Sequence, residues 1–337
     1  MKNLFILIFF NFVLVILSSC DEVLNRFEYQ DTNIANSTKE PQLCVQGFPS
    51  DYGEGLKIDV SEAWDINKGY YNNDIAINNA VVSLFENGEK ICTLNSYLPS
   101  ASPGVEKKFP NYFHPDVILK PGKDYEIEVS SVGYKTVKGK TSIPISVKPD
   151  SLIAIESVEN NKKGYQFTLY FTDPSNSQNF YMVNARNWML LNHGGNTTQT
   201  IDNIKIPLGD HVFDFLPDNQ SFVREPFDIS TYKPRMFSDE TIVGRQYGLK
   251  FFLELNSFID TNDVYVDKVE VLLMSISKEM YDGLKSQYLF QLIKSDLYAE
   301  KMTIYSNMSN GIGLWGGYSV TSVTLKMNKK VNFQVYQ

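Results

Sequence analysis

Histidine and cysteine are scarce in this chain, with three of each in 337 residues. That leaves little material for a metal centre or a thiol enzyme. No CxxC, HExxH or HxxxH occurs, and no serine sits in GxSxG. An excess of basic residues is missing too. Lys+Arg number 31 against Asp+Glu 39, for a formal net charge of −8, and a duplex nucleic-acid binder needs the opposite balance. There is no internal repeat of solenoid length and no low-complexity tract. What is present is a hydrophobic content of 43% with 21% charged residues, which excludes wholesale disorder.

Only one long apolar run occurs, Leu4 to Leu17, broken only by Asn11. It is shorter than the about 20 residues that span a hydrocarbon layer. With Lys2 before it, it fits the h-region of a secretory signal over residues 1–19. Removing that signal leaves 337 − 19 = 318 residues and a charge of 30 − 39 = −9, because Lys2 goes with it. At about 100–200 residues per domain this predicts two domains. Leu17-Ser18-Ser19-Cys20 resembles the lipobox of bacterial lipoproteins. The resemblance implies that the Cys20 thiol accepts a diacylglyceryl group, and with about 0.8 kcal/mol per buried methylene several acyl chains anchor the protein stably in a membrane. Asp21 and Glu22 resemble the surface-export signal of Bacteroidota lipoproteins. Residues 20–40 are polar and read as a lipidated tether, spanning roughly 25 Å r.m.s.. Once Cys20 is acylated, Cys44 and Cys92 remain. An envelope compartment permits a disulfide between them, but both lie in apolar strand-like runs where free cysteine is common, and free thiols are favoured.

Residues 41–146 carry short alternating segments separated by turns. Leu43–Gly47, Leu56–Val60, Ala80–Phe85, Tyr125–Val129 and Val137–Ile143 predict strands, and Asn87-Gly88 predicts a tight hairpin after the third of these. Roughly seven strands over about 100 residues with no helical period predict an immunoglobulin-like β-sandwich. Between Pro99 and Pro115 four prolines break the spacing. This stretch reads as a long loop in which Phe109, Tyr112 and Phe113 either contact a partner or seal the end of the sandwich. Pro144 to Pro149 reads as a connector. Residues 147–337 predict a second β-sandwich-like domain, with strands at Gln166–Thr172, Tyr181–Ala185, Leu249–Leu255, Val264–Ile276, Val320–Met327 and Val331–Val335. Its one short helix starts at the N-cap Ser277 with Glu279 in the first turn, and Met280 or Tyr281, Leu284, Tyr288 and Leu292 line one face. The fold class is therefore mostly β.

Gly311-Ile312-Gly313-Leu314-Trp315-Gly316 matches GxGxxG, but Gly317 to Gln337 holds no Asp or Glu and the flanks are strand-like. A dinucleotide site needs an acidic residue about 20 positions on, so this is read as a tight glycine-rich turn where backbones approach closely. His114, His193 and His211 stand apart from one another. Asp239-Glu240 could serve glycoside hydrolysis only with a second carboxylate at a defined distance. Phe222, Arg224, Phe227, Tyr232, Arg235 and Phe237 fall in an aperiodic stretch with Pro226 and Pro234, and aromatic plus Arg is the composition of a protein interface. Asp150-Ser151-Leu152 matches the pattern on which Bacteroidota attach O-glycans, which makes Ser151 a candidate. The alternative for that triplet is a turn leading into a strand.

A wider resemblance rests on several segments together: the lipobox, Val45-Gln46-Gly47, Asn79-Ala80-Val81-Val82, Pro121-Gly122-Lys123-Asp124-Tyr125 with Gly133-Tyr134, Phe237 to Gly244, the Ser277–Tyr288 helix and Ser306 to Gly316. In combination they resemble the Bacteroidota lipoproteins called "domain of unknown function 4249", over nearly the whole mature chain. Trp315 stands where that family more usually has Phe. The resemblance implies no catalytic residue, and no metal or cofactor is expected. Such proteins are similar in context to the accessory lipoproteins of TonB-dependent outer-membrane receptors. The expectation is a non-enzymatic, surface-displayed outer-membrane lipoprotein that partners such a receptor in nutrient binding or uptake. A surface adhesin or structural lipoprotein is the alternative, with a carboxylate-based hydrolase behind it.

Overall fold

A computed structural model describes residues 41–53, 55–63, 76–97, 111–159, 161–193, 196–204, 235–254, 263–293 and 302–330. Thr38–Ala299 and Ile304–Gln337 form one compact unit, and within it the chain is mostly β with one helix among the described residues. The first seven strands are β1 (Leu43–Gly47), β2 (Leu56–Glu62), β3 (Val81–Glu86), β4 (Glu89–Ser96), β5 (Tyr112–His114), β6 (Lys123–Ser130) and β7 (Val137–Ile143). β2, β6 and β7 alternate as their sequences predict. Tyr125, Ile127 and Val129 of β6 are buried, whereas Glu126 and Glu128 face out toward Lys138, whose Nζ lies 2.7 Å from Glu128. Asn87 and Gly88 both adopt positive φ, 50° and 88°, as the hairpin between β3 and β4 requires.

β4 pairs with β3 along most of its length and with β5 at Asn95 and Ser96, so one strand serves both layers of the sandwich. The layers enclose a core that includes Leu43, Val45, Ile58, Val82, Leu84, Tyr112, Tyr125 and Ile127. Each fully buried aliphatic side chain there contributes about 1.5–3 kcal/mol. The Tyr125 hydroxyl accepts the Lys120 N–H at 2.8 Å. A tyrosine near the start of a strand, bonded to backbone a few residues upstream, is a device of immunoglobulin-like sandwiches.

The second set comprises β8 (Pro149–Glu159), β9 (Lys162–Thr172), β10 (Phe180–His193), β11 (Asn196–Ile204), β12 (Arg235–Ser238), β13 (Gln246–Glu254) and β14 (Asp263–Ile276). After it come helix α1 (Lys278–Ile293), β15 (Met308–Ser309), β16 (Ile312–Trp315) and β17 (Tyr318–Lys330). A three-stranded sheet, β13-β9-β8, faces a sheet of β11, β10, β14 and β17, in which β12 also pairs with β10. Phe167 and Phe251 stack between them at 5.2 Å, among Phe171, Tyr181, Val183, Phe237 and Val271. The larger sheet buries its other face as well. Phe180, Met182, Met274 and Ile276 pack with Met280, Tyr281 and Leu284 of α1, and with Phe48 and Leu314. Because Phe48 follows β1 and Leu314 sits in β16, this third core bonds the first module to the second.

The chain does not stay on one side of residue 146/147. Residues 308–315 return to the first module, where β15 pairs antiparallel with β7 and β16 pairs parallel with β1. The Gly311–Gly316 motif is thus a turn and a strand, and it precedes no helix. The loop expected from Pro99 to Pro115 ends earlier than its prolines suggest, because Tyr112–His114 is a strand paired with Lys57 and its neighbours. The strand expected at residues 331–335 lies outside the described residues.

Candidate functional site

Several expected site residues lie outside the described residues: Cys20, Asp21, Glu22, Phe109, Phe222, Arg224, Phe227 and Tyr232. Of the others, three are interior. Tyr112 is 1% exposed and its hydroxyl accepts the Ala80 N–H at 2.8 Å. Its neighbour Asn111 is fully buried, accepting the Val60 N–H at 2.8 Å and donating to the Val60 carbonyl at 2.7 Å. Arg235 and Phe237 lie on β12, where every side chain is buried. Burial of Tyr112 agrees with the reading in which it seals the sandwich, whereas the partner contact expected of Arg235 and Phe237 is corrected to packing: proline and arginine punctuation hid two short strands whose partners are distant in sequence. Phe113 is half-buried and packs on the exposed Tyr97 at 5.3 Å between ring centroids. Ser151 is exposed on the edge strand β8, beside an Asp150 carboxylate that accepts from Gln246 Nε2 at 2.8 Å and Thr172 Oγ1 at 3.0 Å. Cys44 and Cys92 are both free.

Half-buried charge and aromatic groups converge on the outer face of the larger sheet. β10 alternation turns Arg186 and Trp188 to this face, and register sets Glu270 and Lys268 of β14 opposite them. Arg186 Nε donates to Glu270 Oε2 at 2.8 Å, and the Trp188 indole N–H donates to the same oxygen at 3.3 Å. The Lys268 ammonium sits 4.1 Å from the Trp188 ring centroid. Tyr52, on the segment after β1, accepts from Arg186 at 3.4 Å. Burial pushes the Glu270 pKa up, but the hydrogen bonds from Arg186 and Trp188 outweigh it and the net shift is downward. Glu270 is therefore an ionised anchor and a poor proton donor near neutrality. The arrangement gathers an ion pair, a second cation and two aromatic rings on one sheet face. It went unseen in the sequence, although Arg186-x-Trp188 and Lys268-x-Glu270 have the period-2 spacing that puts such residues on one strand face.

The acidic pair weighed from sequence separates in the fold. Glu240 is exposed, whereas Asp239 is 1% exposed and meets a different carboxylate, Asp173, at 2%. Both accept from the Asn179 side chain, at 3.1 and 3.2 Å. Asp239 also accepts the Asn179 backbone N–H at 2.7 Å, and Asp173 accepts the Gly244 N–H at 2.9 Å and the Tyr181 hydroxyl. Burial first, and then the neighbouring Asp173, raise the Asp239 pKa against the pull of the Asn179 hydrogen bonds. These contacts clasp the loops after β9 and β12 to the start of β10. Among the described residues no group of three or more His, Cys, Asp or Glu is placed to hold a metal ion.

The fold and these contacts define a β protein of two face-to-face sheet pairs, wedged together by one helix. The chain belongs to the family described as "Domain of unknown function (DUF4249)", whose model matches residues 28–324. No curated protein matches the chain significantly.

Proposed function

We propose that this protein is a lipid-anchored outer-membrane lipoprotein that assists a TonB-dependent receptor barrel in nutrient binding or uptake, by surface contact and without bond-breaking chemistry of its own. The observation that carries the reading is the order of apolar run, Ser18-Ser19 and Cys20, with Asp21 and Glu22 directly behind. Two features of the fold support it. The half-buried carboxylate of Glu270 and the buried pair Asp173 and Asp239 are committed to hydrogen bonds within the structure. The aromatic and charged faces around Trp188 and Tyr97 suit contact.

Two measurements test it. Labelled palmitate should enter the wild-type chain and not Cys20→Ala, and the variant should leave the membrane fraction. Affinity purification from detergent-solubilised outer membranes should then bring down a receptor barrel with the wild type. Equal labelling of both chains removes the anchor, and recovery without any barrel removes the partnership.

A further inference from the structure

Residues 306–317 cross from the second module to the first and give one strand to each layer of its sandwich. Met308 pairs with Gly139 of β7, and Cys44 to Gly47 of β1 pair with Ile312 to Trp315. Two side chains of this strap, Met308 and Trp315, complete the first module's core. Trp315 is fully buried and its indole N–H donates to the Tyr125 carbonyl at 3.0 Å. The strap is also tied to itself and to its groove. Asn307 accepts the Trp315 N–H at 2.9 Å while donating to the Trp315 carbonyl at 2.8 Å and the Lys140 carbonyl at 3.1 Å. Asn310 and Ser309 donate to the carbonyls of Thr136 and Lys138.

Its glycines are there for fit. A Cβ on Gly313, at φ 131°, would stand 1.8 Å from the Val45 carbonyl oxygen, and one on Gly311 would stand 2.5 Å from Val137. At its far end the strap meets the helix. The Gly317 N–H is shared between Thr141 Oγ1 at 3.1 Å and Ser277 Oγ at 3.2 Å, and the Ser277 N–H donates to the Gly317 carbonyl at 2.8 Å. Thr141 belongs to β7 and Ser277 caps α1, so module, strap and helix share one buried polar knot.

We propose that residues 306–317 are a built-in donor strand, a latch carried by the second module whose insertion closes the first. With the latch out, the β1 edge loses β16, its partner on that side among the described residues, and the β7 edge loses β15. The core then lacks its indole, and the helix N-terminus loses Gly317. Edge pairing, core and knot depend on one segment, so they open as one unit.

Hydrogen exchange read by mass spectrometry on the full chain tests this, in a denaturant series kept below the unfolding midpoint. The expected result is that amides of β1, β7, the strap and the first turn of α1 share one opening transition, distinct from that of β8, β9 and β13. Asn307→Ala should lower protection about tenfold in the first group and leave the second unchanged. Gly313→Ala should do the same more severely, and if it does not fold, the wild-type series and Asn307→Ala still decide. A strap that exchanges while β1 and β7 stay protected overturns the proposal. So does protection lost equally across β8, β9 and β13.

Discussion

The indole of Trp315 fills the centre of the first module although residue 315 is separated by 190 positions from the carbonyl it binds. Trp315→Ala should cost about 3–5 kcal/mol, through lost burial and a cavity that close-packed neighbours fill poorly. Denaturant unfolding of the variant checks this as a lower midpoint, and the blue-shifted indole emission should fall. Asp239 acts in the opposite sense to Glu270. Its folded pKa is raised, so the folded state holds this proton more tightly, and ionisation works against the fold. Its contribution is most favourable below the ordinary carboxylate range and declines as pH rises through the raised value. Glu270, with a lowered pKa, loses its contribution only as pH falls through that lower value. Asp239→Asn should therefore flatten the mildly acidic limb of a thermal-stability profile against pH. An unchanged slope in that limb would assign the titration to another group.

At the scale of elements, α1 depends on its neighbours more than on its own propensity. Gly283 lies mid-helix, which costs about 1 kcal/mol against Ala in isolation. Here a Cβ would come 2.5 Å from Leu314, so the glycine lets the strap approach. The N-cap was readable from the sequence. Ser277 accepts the Met280 N–H at 3.2 Å, and Met280, Tyr281 and Leu284 are buried on the face their spacing indicated. Ser277→Ala should cost about 1–2 kcal/mol, toward the upper end because its hydroxyl also holds Thr141 and Gly317. Calorimetry on the variant measures this, and a loss of a few tenths would mean the knot adds nothing to the cap. β12 and β5 went unread for a related reason. Strands of four and three residues are too short for a period of two to stand out, and their burial comes from partners on β10 and β2.

On the scale of the whole molecule, the protein is two sandwiches sharing a third core. Phe48, Leu314 and Tyr318 join α1 to the larger sheet, and Asp51 accepts the Val320 N–H at 2.9 Å beside them. Such a joint predicts that the modules unfold together. Differential scanning calorimetry should give one transition, with a calorimetric enthalpy that matches the van't Hoff value. Two resolved transitions would mean that the joint yields first. The sequence already carried the local facts: alternation placed β2, β6 and β7, Asn87-Gly88 placed a hairpin, and Ser277 placed a helix start. Each depends on residues only a few positions apart, whose steric and hydrogen-bonding preferences act within that distance. Tertiary structure alone decided that Gly311 to Gly317 would lie between β1 and β7, and that Arg186, Trp188, Lys268 and Glu270 would share a face. Those arrangements join segments far apart along the chain through packing and register, and no local spacing encodes which distant edge a strand will meet.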